Sequence, residues 1–179
     1  MRKHALLLAA AAALTGCTQI ATSDPTAAAG ATRPAIGPDA QRLLDIAQAN
    51  VNDIAAGRLA VQKAELPAVR AYGERIVNEH TALLGQASAL ARAHAVPVPK
   101  LPDLAHQGQL SELASLPGFS FDRAFLQRMV EDHGRTLALL QQVAAETKDP
   151  DLRAQTEMAI PHVQEHLDIA RRLEDEVPR

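Results

Sequence analysis

Tyr72-Gly73-Glu74-Arg75-Ile76-Val77-Asn78-Glu79-His80 aligns without a gap on Phe125-Leu126-Gln127-Arg128-Met129-Val130-Glu131-Asp132-His133. The offset is 53 residues throughout, and Leu84 matches Leu137 at the same offset. In the first copy Tyr72, Ile76, His80 and Leu84 recur at four-residue steps; in the second, Phe125, Met129, His133 and Leu137 do so. That period is one face of an α-helix. Each copy therefore reads as a long helix carrying a histidine on its apolar stripe, directly after a carboxylate.

Helical spacing extends to both sides of the repeat. The first helix is predicted over about residues 39–65, with Leu43, Ala47, Asn50, Ile54 and Val61 on one stripe. Leu66-Pro67 ends it, and Pro67 suits the first position of a second helix running to about residue 95. Pro97, Pro99 and Pro102 make a stiff crossover, followed by a short helix over about 103–115. Ser120 is the expected N-cap of the fourth helix, about 120–147. Asp149-Pro150 opens the fifth as N-cap and first residue, with Ala159, Val163, His166, Ile169 and Leu173 on its stripe and a kink expected at Pro161.

Composition agrees. The chain has 179 residues, 47% hydrophobic but only 2% aromatic, and Ala and Leu, the best helix formers, dominate it. The expected fold is all-α: a ferritin-like four-helix bundle with a long Pro-rich crossover and one short extra helix. The repeat suggests two helix pairs related by duplication. No Trp, one Tyr and three Phe leave no aromatic platform for stacking bases or sugars. A net charge of −3 argues against a nucleic-acid partner. Phe119, Phe121 and Phe125 read as a core plug at the start of the fourth helix.

The N-terminal segment is an address. Basic Met1-Arg2-Lys3-His4 precedes the apolar run Ala5 to Leu14, far too short for a permanent span of ~20 residues. Leu14-Thr15-Gly16-Cys17 then resembles the bacterial lipobox, where cleavage precedes an acylated cysteine. Residues 1–16 are expected to be a lipoprotein signal peptide, with Cys17, the only cysteine, as the lipid attachment. Residues 17–38 follow as a Thr/Ala/Pro-rich tether and 39–177 as the helical domain. Thr18, rather than Asp, follows Cys17, which by the same resemblance implies an outer-membrane anchor facing the periplasm.

Val-x-acid-His on two helices, Phe121-Asp122, and the late Pro161 to Leu167 segment (Pro-x-x-x-x-His-Leu) together resemble a bacterial envelope family. It is domain of unknown function 4142, whose members are often secreted or lipid-anchored. The resemblance implies a ferritin-like bundle in the cell envelope. It implies no activity.

Helix midpoints place Asp53, Glu79/His80, Asp132/His133 and His162/His166 near one layer. Facing helices of a bundle project metal ligands in such a layer, and imidazole with carboxylate suits Zn, Fe or Mn. His162 and His166, four residues apart, share a face. The pattern nevertheless departs from Glu-x-x-His, because Val77 and Val130 stand three before the repeated histidines. The adjacent acids are rotated ~100° from them, and i, i+4 pairs Arg75–Glu79 and Arg128–Asp132 would account for them.

Two readings therefore stand. In one, His80 and His133 form a polar core layer bonded to each other, to Asn50 or Asp53, in a structural, binding or stress-related protein; in the other, the layer holds a metal. An envelope protein partner is a third role. His162-Val163-Gln164-Glu165-His166 matches the H-x-x-E-H protease string, but a small bundle supplies no substrate cleft. No catalytic residue is assigned. His94 and His106, near the crossover, are expected to be exposed.

Overall fold

The computed structural model describes residues 37–178, all of whose regular structure is helical. The leader, Cys17 and the tether up to residue 36 lie outside the described residues. Five helices follow in order: α1 (Pro38–Lys63), α2 (Pro67–Ala93), α3 (Leu104–Ser115), α4 (Gly118–Glu146) and α5 (Pro150–Glu176). No described helix is long and apolar enough to cross a membrane.

Local sequence explains most of the boundaries. Pro67 and Pro150 occupy the first turns of α2 and α5, where the missing N–H costs nothing. Asp149 Oδ1 accepts from the N–H groups of Asp151 and Leu152, capping α5. The crossover side chain of Asp103 does the same for α3, accepting from His106 N at 3.0 Å. At the end of α2, Ala95 adopts φ +54°, and Val96 N–H closes on Ala91 O at 2.8 Å in a left-handed cap. Ser120 does not cap α4. That helix starts at Gly118, whose φ of +48° turns the chain directly out of Pro117, and Ser120 lies inside the first turn. Pro161 sits within α5, which continues through it as one helix.

The four long helices form a ring in which α1 packs on α2, α4 on α5, α1 on α4, and α2 on α5. α1 and α2 approach each other closely where two glycines face. A Cβ at Gly57 would meet Gly73 O at 2.9 Å, and one at Gly73 would meet Ala60 Cβ at 2.8 Å. Asp122, fully buried, ties the α1–α2 turn to α4: its two oxygens accept from the N–H groups of Glu65 (3.0 Å) and Leu66 (2.8 Å). The Phe121-Asp122 motif is thus a packing device.

The repeated segments lie on helices that face each other across the core. Tyr72 meets Phe125, with ring centroids 6.1 Å apart, and eight residues on His80 meets His133 at 5.3 Å. Equivalent residues touch in the same order, so α2 and α4 run parallel. A tandem duplication of hairpins would instead match α1 with α4 and α2 with α5, so the repeat does not relate the two pairs. It relates diagonal helices.

Two apolar clusters fill the interior. One contains Tyr72, Ile76, Phe121, Phe125 and Met129; the other contains Leu43, Leu83, Leu140, Leu152 and Val163. His80, His133 and His166 lie between them along their helices and are at most 1% exposed. Of the three Phe, Phe121 and Phe125 are fully buried and stacked with centroids 5.9 Å apart, whereas Phe119 is 38% exposed and stands outside the plug.

Candidate metal centre

The stripes of α2, α4 and α5 each deliver one histidine to the core. His80 Nε2 lies 3.3 Å from His133 Nε2 and 3.2 Å from His166 Nδ1. All three ring nitrogens lie within 4.8 Å of one another.

What each ring does with its other nitrogen decides the chemistry. His80 Nδ1 is 3.0 Å from Asn50 Oδ1. The Asn50 amide is oriented by its own Nδ2, which donates to Ile46 O at 2.8 Å, so its oxygen faces the ring. His133 Nδ1 is 2.9 Å from Met129 O, a backbone carbonyl that can only accept. His166 Nε2 is 2.9 Å from Glu79 Oε2, a carboxylate. Each outer nitrogen must therefore carry the proton and donate it. In neutral imidazoles this leaves His80 Nε2, His133 Nε2 and His166 Nδ1 bare. Three lone pairs converge with no hydrogen among them.

Electrostatics keep the rings neutral. Burial, then the neighbouring His133 and His166, pushes His80 well below the usual histidine range. Burial pushes His133 down to about 3. His166 is also lowered by burial, which outweighs the opposing hydrogen bond to Glu79. Glu79 is held below the usual carboxylate range: burial opposes this, but the bonds from Arg75 and His166 prevail. Arg75 Nε reaches Glu79 Oε1 at 2.7 Å and its other arm reaches Glu165 at 2.8 Å.

The remaining candidates do not join the cluster as inner donors. Glu79 stands behind His166. His162 is half exposed, 3.4 Å from Glu79 Oε2, and is not turned inward with His166. Asp53 is buried, and its Oδ2 lies 3.6 Å from His80 Nδ1 without a hydrogen-bond partner, because Asn50 takes that bond. It borders a void of about 20 Å³, in which Gln155 Oε1 is likewise unpartnered. Burial, then Asp132, raises its carboxyl well above the usual range. Asp132 turns away from the histidines toward α1 and α3. It pairs with Arg135 rather than Arg128, which reaches Glu131 at 3.3 Å.

Four further residues are placed by the structure. Tyr72 donates its hydroxyl to His166 O at 3.1 Å, fixing α5 beside the cluster; its position two turns before His80 was the available signal. Met129 contributes only a carbonyl, which no side-chain pattern reveals. His106 is half-buried rather than exposed, its Nδ1 2.8 Å from Asp103 Oδ2, because α3 folds back against α1 and α4. His94 is exposed and paired with Asp149 at 2.8 Å.

Comparison with solved structures finds the same fold in CopM. Its Cu(I)-bound form matches with TM-score 0.67 at 18% identity, covering 77% of this chain and 96% of that one. Its Ag-bound form, obtained by co-crystallization, matches with TM-score 0.65 at 18% identity over the same shares. Its Cu(II)-bound form gives 0.66 at 17% identity, again over 77% of this chain and 96% of that one. No curated protein matches the sequence. The family model described as a domain of unknown function, DUF4142, matches residues 21–173, and the chain belongs to that family.

Proposed function

We propose that this protein binds a soft or borderline transition-metal ion through His80, His133 and His166, in a ferritin-like four-helix bundle tethered to the bacterial envelope. The observation that carries the reading is the convergence of three bare imidazole nitrogens whose outer N–H groups are all engaged by acceptors. A core layer held by hydrogen bonds between imidazoles needs a proton between the rings, and Asn50, Met129 and Glu79 have drawn every proton outward. Metal-bound histidines have this arrangement, with the second nitrogen given to an amide, carbonyl or carboxylate.

The donor set suits a metal by type, and two of its three nitrogen separations match one by distance, the third lying within 4.8 Å. Nitrogens bound at ~2.0–2.1 Å to one tetrahedral ion are about 3.4 Å apart, against 3.2 and 3.3 Å between the paired nitrogens. Three neutral nitrogens without an inner carboxylate suit Cu(I), Ag(I) or Zn(II) better than Fe or Mn, which favour oxygen ligands. Burial favours the monovalent ions, since the cost of desolvating a charge rises with its square. CopM, which shares the fold, is described in Cu(I)-, Cu(II)- and Ag-bound forms, and this supports the copper-group choice.

Envelope placement rests on the order of basic end, apolar run and Cys17. A lipidated Cys17 would anchor the domain at the outer membrane, facing the periplasm, where the buried site holds or buffers metal instead of turning over a substrate. Metal analysis tests the reading. Protein loaded with Cu(I) or Ag(I) under reducing conditions and desalted should retain one equivalent at the centre, and the His80→Ala/His133→Ala variant should lose it. Equal content in both would refute it.

A further inference from the structure

His80, His133 and His166 are all but sealed from solvent, so an ion reaches them only where the wall around them opens. Each ring is backed by one partner on its outer nitrogen. Asn50 and Met129, behind His80 and His133, are themselves buried. Glu79, behind His166, is the one of the three that solvent touches, with 28% of its side chain exposed. Beside Glu79 stands His162, one helical turn before His166 on α5. Its side chain is 49% exposed, and its Nδ1 lies 3.4 Å from Glu79 Oε2. Arg75 joins Glu79 to Glu165, so two carboxylates meet one guanidinium at this surface. The repeat on α4 has no such opening: Asp132, the equivalent of Glu79, pairs with Arg135, and the outer nitrogen of His133 is taken by the main chain.

We propose that His162 and Glu79 form a capture site on the α2–α5 surface, through which a soft monovalent cation such as Ag(I) or Cu(I) passes to the inner centre. This rests on the metal reading above and adds the route to it. Glu79 is the latch. Its bond to Nε2 holds the His166 ring with Nδ1 turned inward. Glu79 is itself fastened by Arg75 in a partly exposed ion pair, a kind that opens at little cost. With Glu79 swung aside, the His166 ring is free to turn its bare Nδ1 toward an ion held at His162, while Nε2 keeps its proton. The Tyr72 hydroxyl meanwhile pins the α5 backbone at His166 O, so the ring moves and the helix does not. Soft ions accept imidazole nitrogen, and the two carboxylates draw cations to the surface. The ring's return delivers the ion to His80 and His133.

The test is the rate of Ag(I) exchange in the full chain. Protein is mixed with Ag(I), quenched with excess chelator at set times, desalted and analysed for retained silver; release is timed by leaving loaded protein in the chelator. A residue on the route acts on entry and exit alike. His162→Gln should therefore slow uptake and release together, several-fold and by the same factor. Arg75→Gln, which unfastens the latch, should speed both. Arg128→Gln, at the equivalent place in the repeat, should change neither. Exchange at the parent's rates in His162→Gln would overturn the capture site. Slower uptake with unchanged release would overturn it too, since His162 would then belong to the final site. A parent that retains no Ag(I) would overturn the three-histidine centre and the route with it, a result distinct from a parent that loads at a rate His162→Gln does not alter.

Discussion

His80 Nε2 and His133 Nε2 face each other at 3.3 Å with both protons held on the far sides of the rings, by Asn50 and by Met129 O. Two lone pairs at that distance repel unless something electron-poor lies between them. His166 adds a third from α5. The apolar clusters on either side keep water from supplying the missing proton cheaply. On the proposed function, an ion would meet three donors that need no proton transfer among themselves to receive it.

In the proposed site Glu79 would stand one hydrogen bond behind the ion. Its carboxylate fixes the His166 tautomer and adds the nearest ordered negative charge. Glu79→Gln should lower affinity for Cu(I) or Ag(I) by about 10–100-fold. The fold should change little, because the residue is only half-buried. Competition titration against a chelator measures the first, and thermal unfolding without metal the second.

Acid should destabilise the metal-free protein. Unfolded histidines titrate near 6.5, whereas burial depresses all three here, His133 to about 3. Below pH 6.5 the unfolded chain therefore binds more protons, so stability is full above that pH and is lost as pH falls. The slope approaches about 1.4 kcal/mol per pH unit for each histidine. Asp53 and Asp132, both raised by burial, have the opposite sign, since their contributions are present at low pH and lost as pH rises through their folded values, so they oppose the histidines. Urea midpoints measured from pH 7 to 5 should fall, and metal should be released over the same range.

How far the centre could be read in advance follows from what a stripe encodes. Helical period put Asn50, His80, His133 and His166 on inward faces, and the 53-residue offset showed that α2 and α4 present equivalent residues. Period does not encode χ angles. Which imidazole nitrogen points inward depends on Met129 O, Asn50 and Glu79, partners supplied by the tertiary fold. Midpoint reasoning placed Asp132 with the histidines because it fixes height along the bundle, and the ~100° step from His133 turned it to α3. His106 was misjudged for a related reason: local pattern gives no account of where a crossover packs.

Asp122 should prove a structural hot spot. Asp122→Ala removes a fully buried carboxylate and leaves two part-buried backbone N–H groups, those of Glu65 and Leu66, without their acceptor, at a cost of about 2 kcal/mol. Chemical denaturation measures it. Since Asp122 touches no histidine of the centre, metal affinity of the folded fraction should be unchanged.

Gly73 sets the α1–α2 distance. Gly73→Ala gains helix propensity, yet its Cβ would lie 2.8 Å from Ala60 Cβ, 2.9 Å from Gly57 O and 3.2 Å from Val61 N, contacts with little freedom to yield. Overpacking should win, with a net loss of about 1–3 kcal/mol in the same denaturation assay. A variant as stable as the parent would show that the two helices can separate.

The most direct measurement is a titration with Ag(I) watched at the individual ring nitrogens of His80, His133 and His166 by 15N NMR. Before metal, Nδ1 of His80 and His133 and Nε2 of His166 should be the protonated nitrogens. On binding, the opposite three should shift together to a metal-bound value at one equivalent, with the protonated set retained. Protons found on the inward nitrogens, or three signals that ignore the metal, would contradict the account.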